Sequence, residues 1–89
     1  MTYVVLLHPK AAKELEKLEK PTRLRIIDKL KELCGNPERA GKILKHSDFW
    51  SLRAGDYRAI YEIDRKEKRV VILYIGHRSK VYDDFSKML

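Results

Sequence analysis

The fold turns on the stretch Leu52-Arg53-Ala54-Gly55-Asp56-Tyr57-Arg58-Ala59-Ile60-Tyr61-Glu62-Ile63, in which two runs of apolar and aromatic residues flank Gly55-Asp56. Glycine at the first central position of a two-residue loop takes the positive φ that a type II′ turn demands, and that turn matches the twist of paired strands. The stretch therefore predicts a β-hairpin in which Ala54 pairs with Tyr57 and Arg53 with Arg58. Alternation along each strand then sorts the side chains. Leu52, Ala54, Tyr57, Ala59, Tyr61 and Ile63 go to the face that meets helices, while Ser51, Arg53, Arg58, Ile60 and Glu62 go to the other.

Two guanidiniums opposite each other on one face repel, and like charges in a cross-strand pair cost stability. Such a pair is tolerated when the side chains splay into solvent or when an anion sits between them. Arg78, at the end of the next strand, reaches the same edge. Planar guanidiniums gathered this way suit a phosphoryl group, whose oxygens collect negative charge during reaction.

Downstream of the hairpin, Arg65-Lys66-Glu67-Lys68 connects to a strand-like run from Arg69 to Ile75. With Phe49 to Ala54 and Tyr57 to Asp64 it makes an antiparallel meander. Ser79 is placed to N-cap a last helix over Lys80 to Met88, with Asp83 and Asp84 near the positive end of its dipole. Upstream, residues 38–48 are polar and aperiodic and read as a loop. Before them, Ile26, Ile27, Leu30, Leu33 and Cys34 form a helical stripe stopped by Gly35-Asn36-Pro37, and Ala11, Ala12, Leu15 and Leu18 form another. Pro21 ends the first helix or opens the second. Tyr3 to Leu7 reads as a short buried strand. The order is β-α-α-β-β-β-α, an α+β fold whose small antiparallel-rich sheet carries an N-terminal helical hairpin and a short C-terminal helix on one face.

The 89 residues make one domain, residues 1–89, with room for one sheet and a few helices. A net charge of +7 and a pI near 9.6 are shared by both halves of the chain, so no separate basic arm exists. Distributed positive charge suits a polyanion, because neutralising phosphates releases counterions, but it also fits a merely soluble basic protein. The single cysteine, Cys34, excludes an internal disulfide and a cysteine-based zinc site. The start MTYVVLLHPK lacks the charged lead and apolar run of a signal peptide, and no stretch is long enough to span a membrane. A cytoplasmic protein is expected. His8, His46 and His77 are dispersed, with no H-x-x-x-H pattern or clustered carboxylates, so neither a metal nor a cofactor is expected.

Two segments carry a family resemblance. Leu52 to Ile63 resembles the L-R-x-G-x-Y-R-x-x-Y strand pair of the RelE/ParE toxin superfamily, and Ile75-Gly76-His77-Arg78-Ser79-Lys80-Val81-Tyr82 resembles its closing G-H-R-x-x-V-Y signature. Both keep the family's spacing, and the β-α-α start fits its order, so the resemblance covers essentially the whole chain. It implies the toxin of a toxin–antitoxin pair, a RelE-like endoribonuclease that cuts mRNA in the ribosomal A site by metal-free attack of the 2′-hydroxyl on the adjacent phosphate. It also implies a RelB-like antitoxin wrapped around the toxin. At the matching positions, Arg58 and Arg78 would stabilise the pentavalent phosphate, Tyr82 would stack on a base or assist proton transfer, and Arg53 would fill a commonly basic position.

Where the best-known RelE pattern supplies two lysines, this chain has Phe49 and Ser51, so a general base must come from elsewhere. Lys45, His46 and His77 are the substitutes, with Lys45 and His46 also counted with Arg53 as RNA contacts. Histidine titrates nearest neutrality, which favours His77. Each assignment has a structural counterpart: Tyr82 as an apolar contact with Phe85, His77 as a strand-end residue, Trp50 as sheet-edge packing rather than a base-stacking platform. Two other functions share the fold. A ParE-like toxin inhibits DNA gyrase without nuclease activity, and a degenerate toxin serves only as a binding partner. His77-Arg78 followed by Val81-Tyr82 favours the RelE branch.

Overall fold

The computed structural model describes residues 2–89, which run β1 (Val4–Leu7), α1 (Pro9–Glu16), α2 (Lys20–Lys31), a 3-10 turn (Glu32–Cys34), α3 (Pro37–Ala40), β2 (Lys42–Ile43), β3 (Trp50–Ala54), β4 (Tyr57–Asp64), β5 (Arg69–His77) and α4 (Val81–Ser86). The strands form one sheet in the order β1-β5-β4-β3-β2, antiparallel except for β1, which lies parallel to β5. The central hairpin has the expected register, Ala54 with Tyr57 and Arg53 with Arg58. Its turn carries positive φ at Gly55 (63°) and not at Asp56, the pattern of a type II′ turn.

Ala11 and Leu15 of α1 and Ile26 and Leu30 of α2 are buried against Leu52, Ala54, Ala59, Tyr61, Val70, Ile72 and Ile75, so the helical hairpin covers the face that strand alternation assigned to it. Pro21 lies in the first turn of α2, where its missing N–H costs no helical hydrogen bond, and so opens that helix.

The expectation that every helix shares one face is corrected. Val81 and Phe85 of α4 pack on the opposite face with Ile60, Tyr74, Leu44, Phe49 and Leu73. The reason lies in the strands: Ile60 points away from the helical hairpin and needs its own apolar cover. An irregularity between β4 and β5 adds to this, because Ile60 pairs with Tyr74 while Tyr61 pairs with Ile72, leaving Leu73 as an extra residue. A bulge of this kind breaks the alternation, and Leu73 and Tyr74 both join the α4 cluster.

Two local expectations also change. Residues 38–48 hold the end of α3 and all of β2 rather than a plain loop. Asn36 caps α3 by accepting from the Arg39 N–H at 3.3 Å, and the buried Tyr61 hydroxyl donates to the Pro37 carbonyl at 2.7 Å. A buried hydroxyl must find an acceptor, so Tyr61 ties this segment to the core, and its burial pushes its pKa up to about 12. Ser79 does not cap α4, whose first helical residue follows Lys80; its N–H and hydroxyl both engage His77 instead. Among the described residues no helix is long and apolar enough to cross a membrane.

Candidate functional site

The face that carries α4 ends, toward the Gly55–Asp56 turn, in a cluster of polar side chains. Arg53 and Arg58 are cross-strand partners, as the hairpin requires, and their guanidiniums part along the strands. Arg53 Nε donates to the Gly55 carbonyl at 3.2 Å, toward the turn, whereas Arg58 Nη1 reaches back to the Ser51 hydroxyl at 3.3 Å. Splaying thus relieves the repulsion of the pair and leaves a cationic concavity beside β3.

Ser51 is the residue that sequence reasoning missed. It is 3% exposed, and its hydroxyl lies 3.1 Å from the hydroxyl of Tyr82 while also accepting from Arg58. One small buried group therefore fixes the guanidinium on β4 and the phenol on α4. Alternation had already placed Ser51 on the arginine face. Its burial could not be read because α4 was expected to lie elsewhere.

Gly76 explains how α4 comes so close. It pairs with Arg58 across β4 and β5, and a Cβ there would lie 3.3 Å from a Val81 methyl and 3.2 Å from the Tyr74 ring. The missing side chain lets the start of α4 settle on β5, which carries Tyr82 over Ser51. The Tyr82 ring remains 41% exposed, so one side anchors while the other faces solvent.

Arg78 is fixed at the same corner by its backbone. Its N–H donates to the Asp56 carbonyl at 2.8 Å, and its Nε sits 3.8 Å from the Asp56 carboxylate in an exposed pairing. Pairs of that kind are worth little, so an incoming phosphate competes easily. The structure therefore brings Arg58 and Tyr82 together over Ser51, with Arg53 opposite Arg58 in the ladder and Arg78 at Asp56 in the hairpin turn.

Of the three base candidates, it turns His77 away from this cluster. Tyr57 and His77 are partners in the ladder and pack edge-on at 5.5 Å, and Tyr57 belongs to the helical-hairpin side, so His77 is turned away from Arg58. Its Nδ1 accepts the Ser79 N–H at 3.2 Å, which makes it a strand-end brace. Lys45 and His46 are exposed in the turn between β2 and β3. Phe49, at the lysine position, packs edge-on against Phe85 at 5.1 Å and serves to seat α4. Trp50 stacks on Tyr61 with centroids 6.4 Å apart, which assigns it to packing. Among the described residues no three His, Cys, Asp or Glu side chains come together as a metal-binding group.

Comparison with known proteins gives a consistent picture. Residues 5–82 match the family model described as the ParE toxin of type II toxin–antitoxin system, parDE. Toxin RelE of Mycobacterium tuberculosis is 35% identical over 83 residues, covering 90% of this chain and 86% of that protein. In the crystal structure of the toxin–antitoxin complex RelBE2 from the same organism, a chain 32% identical superposes with a TM-score of 0.82, covering 88% of this chain and all (100%) of that one. The archaeal RelE–RelB complex from Pyrococcus horikoshii contains a chain 30% identical, with a TM-score of 0.72, covering 91% of this chain and 100% of that one.

Proposed function

Since the chain belongs to the ParE toxin family of type II toxin–antitoxin systems and is RelE-like within it, we propose that it is a ribosome-dependent endoribonuclease that cuts messenger RNA. The observation that carries this reading is the buried Ser51 bridge, which holds Arg58 and Tyr82 together, with Arg78 anchored on Asp56 in the turn of the same hairpin. In the reaction the 2′-oxygen attacks the adjacent phosphorus and the bond to the 5′-oxygen breaks. The proton lost by the 2′-hydroxyl is balanced by one gained at the 5′-oxygen, leaving a 2′,3′-cyclic phosphate and a 5′-hydroxyl.

Charge builds on the non-bridging oxygens as the pentavalent state forms. Arg58 and Arg78 are the donors aimed at that charge, and Tyr82 offers a ring on which a base stacks. With His77 turned to the other face, catalysis rests on this charge stabilisation and on alignment of the 2′-oxygen by the ribosome. The partner in the cell is a RelB-like antitoxin, as in the RelE–RelB complexes that this fold resembles. An acidic, amphipathic partner gains most by covering Arg53, Arg58 and Arg78 or by taking the apolar seat of α4.

The family model's name favours a second reading, inhibition of DNA gyrase. One experiment separates the two. Purified protein added to a translating extract should produce new mRNA ends confined to ribosome-bound message and leave gyrase supercoiling unaffected. Intact message together with inhibited gyrase would assign the chain to the second reading.

A further inference from the structure

Strand β2 pairs with β3 only at Lys42 with Ser51 and Ile43 with Trp50, so Leu52, Arg53 and Ala54 continue past it with β4 on one side and no strand on the other. The gap is a cavity of about 260 Å³ lined by Lys29, Lys42, Arg53, Arg58 and Ser51, with Ala40, Gly41 and Leu52. Its floor is rigid. Gly41 lies so close to the Ser51 carbonyl, 2.7 Å from where a Cβ would stand, and to the Tyr61 hydroxyl that no side chain fits there.

Four cationic side chains and no carboxylate line this cavity, an arrangement that favours an anion. No aromatic side chain lines it, so it offers a base nothing to stack on and a phosphodiester several charged donors. Arg58 and Ser51 belong both to this cavity and to the cluster under Tyr82, which makes the two continuous. Lys29 pairs with Glu32 at 3.3 Å on the surface of α2, a pair weak enough to be exchanged for phosphate.

We propose that this cavity is a second phosphate subsite, which grips the RNA backbone beside the phosphate held at Arg58, with Lys29 and Lys42 as its specific contacts. The inference rests on the reading that the arginine face meets RNA, and it adds two lysines that neither the family signature nor the arginine cluster includes.

The test measures binding of a fluorescent single-stranded RNA, 2′-O-methylated to block cleavage, as a function of salt. Lys29→Ala/Lys42→Ala should weaken binding about tenfold at low salt, independently of RNA sequence. It should also make the plot of log affinity against log salt shallower by about 0.7, the release expected for one lost phosphate contact on a single strand. Lys29→Arg/Lys42→Arg should restore both. Lys10→Ala/Lys13→Ala removes the same charge from α1 and should leave the slope unchanged. An equal loss of slope in the α1 variant, or an unchanged slope in Lys29→Ala/Lys42→Ala, overturns the subsite while leaving the ribonuclease reading intact. Absence of RNA binding by the wild-type protein overturns the subsite, while the ribosome-dependent reading stands or falls on the translating-extract experiment.

Discussion

Replacing Arg58 or Arg78 with alanine should lower single-turnover cleavage of ribosome-bound message by about 10²–10³-fold, the usual cost of losing a donor aimed at developing negative charge. Neither change should unfold the protein, because Arg78 is exposed and Arg58 is half-buried, outside both apolar clusters. Lysine at either position should lie between wild type and alanine, since a point charge attracts phosphate but lacks the planar fork. The effect should appear in the rate at saturating toxin, with ribosome binding largely kept. Wild-type cleavage by folded, ribosome-binding alanine variants at both positions would place the chemistry elsewhere.

The second large effect concerns Tyr82 and the serine beneath it. Tyr82→Ala should reduce cleavage by about 10–10²-fold, because it removes both the stacking ring and the cover over Ser51. Tyr82→Phe keeps the ring and loses one hydrogen bond worth about 1 kcal/mol, so it should retain activity within about fivefold. Ser51→Ala should cost about tenfold by releasing Arg58, and Tyr82→Phe added to it should cost almost nothing more, since both act through the same hydroxyl bridge. Single-turnover rates of the four proteins read this coupling directly. Fully multiplicative losses would mean that Ser51 and Tyr82 act independently. A Tyr82→Phe protein as impaired as Tyr82→Ala would instead give the hydroxyl a direct part in proton transfer.

The hairpin and its arginine register were legible in the sequence because local chemistry decides them. Gly55 sets the turn, the turn sets the pairing, and a period of two assigns each side chain to a face. The placement of α4 was not legible, since Val81 and Phe85 show that one side of the helix is apolar without saying which face of the sheet receives it. That choice depends on Ile60, Leu73 and the bulge between β4 and β5, a tertiary feature with no signature in spacing alone. Ser51 stayed hidden for the same reason, as it gains meaning only once Tyr82 is carried over it. His77 adjoins Arg78 in sequence, but its place at the end of β5 opposite Tyr57 puts it on the face of the helical hairpin.

On the ribosome, the arginine face stabilises the charge that builds when a 2′-oxygen attacks its neighbouring phosphate. The most direct measurement uses ribosomes carrying a message in which the nucleotide preceding the cleaved bond is deoxyribose, and compares it with the all-ribose message under single-turnover conditions. The ribose message should yield a 2′,3′-cyclic phosphate and a 5′-hydroxyl, and the deoxyribose message should stay intact at that bond. Cleavage of the deoxyribose bond at the ribose rate would contradict it.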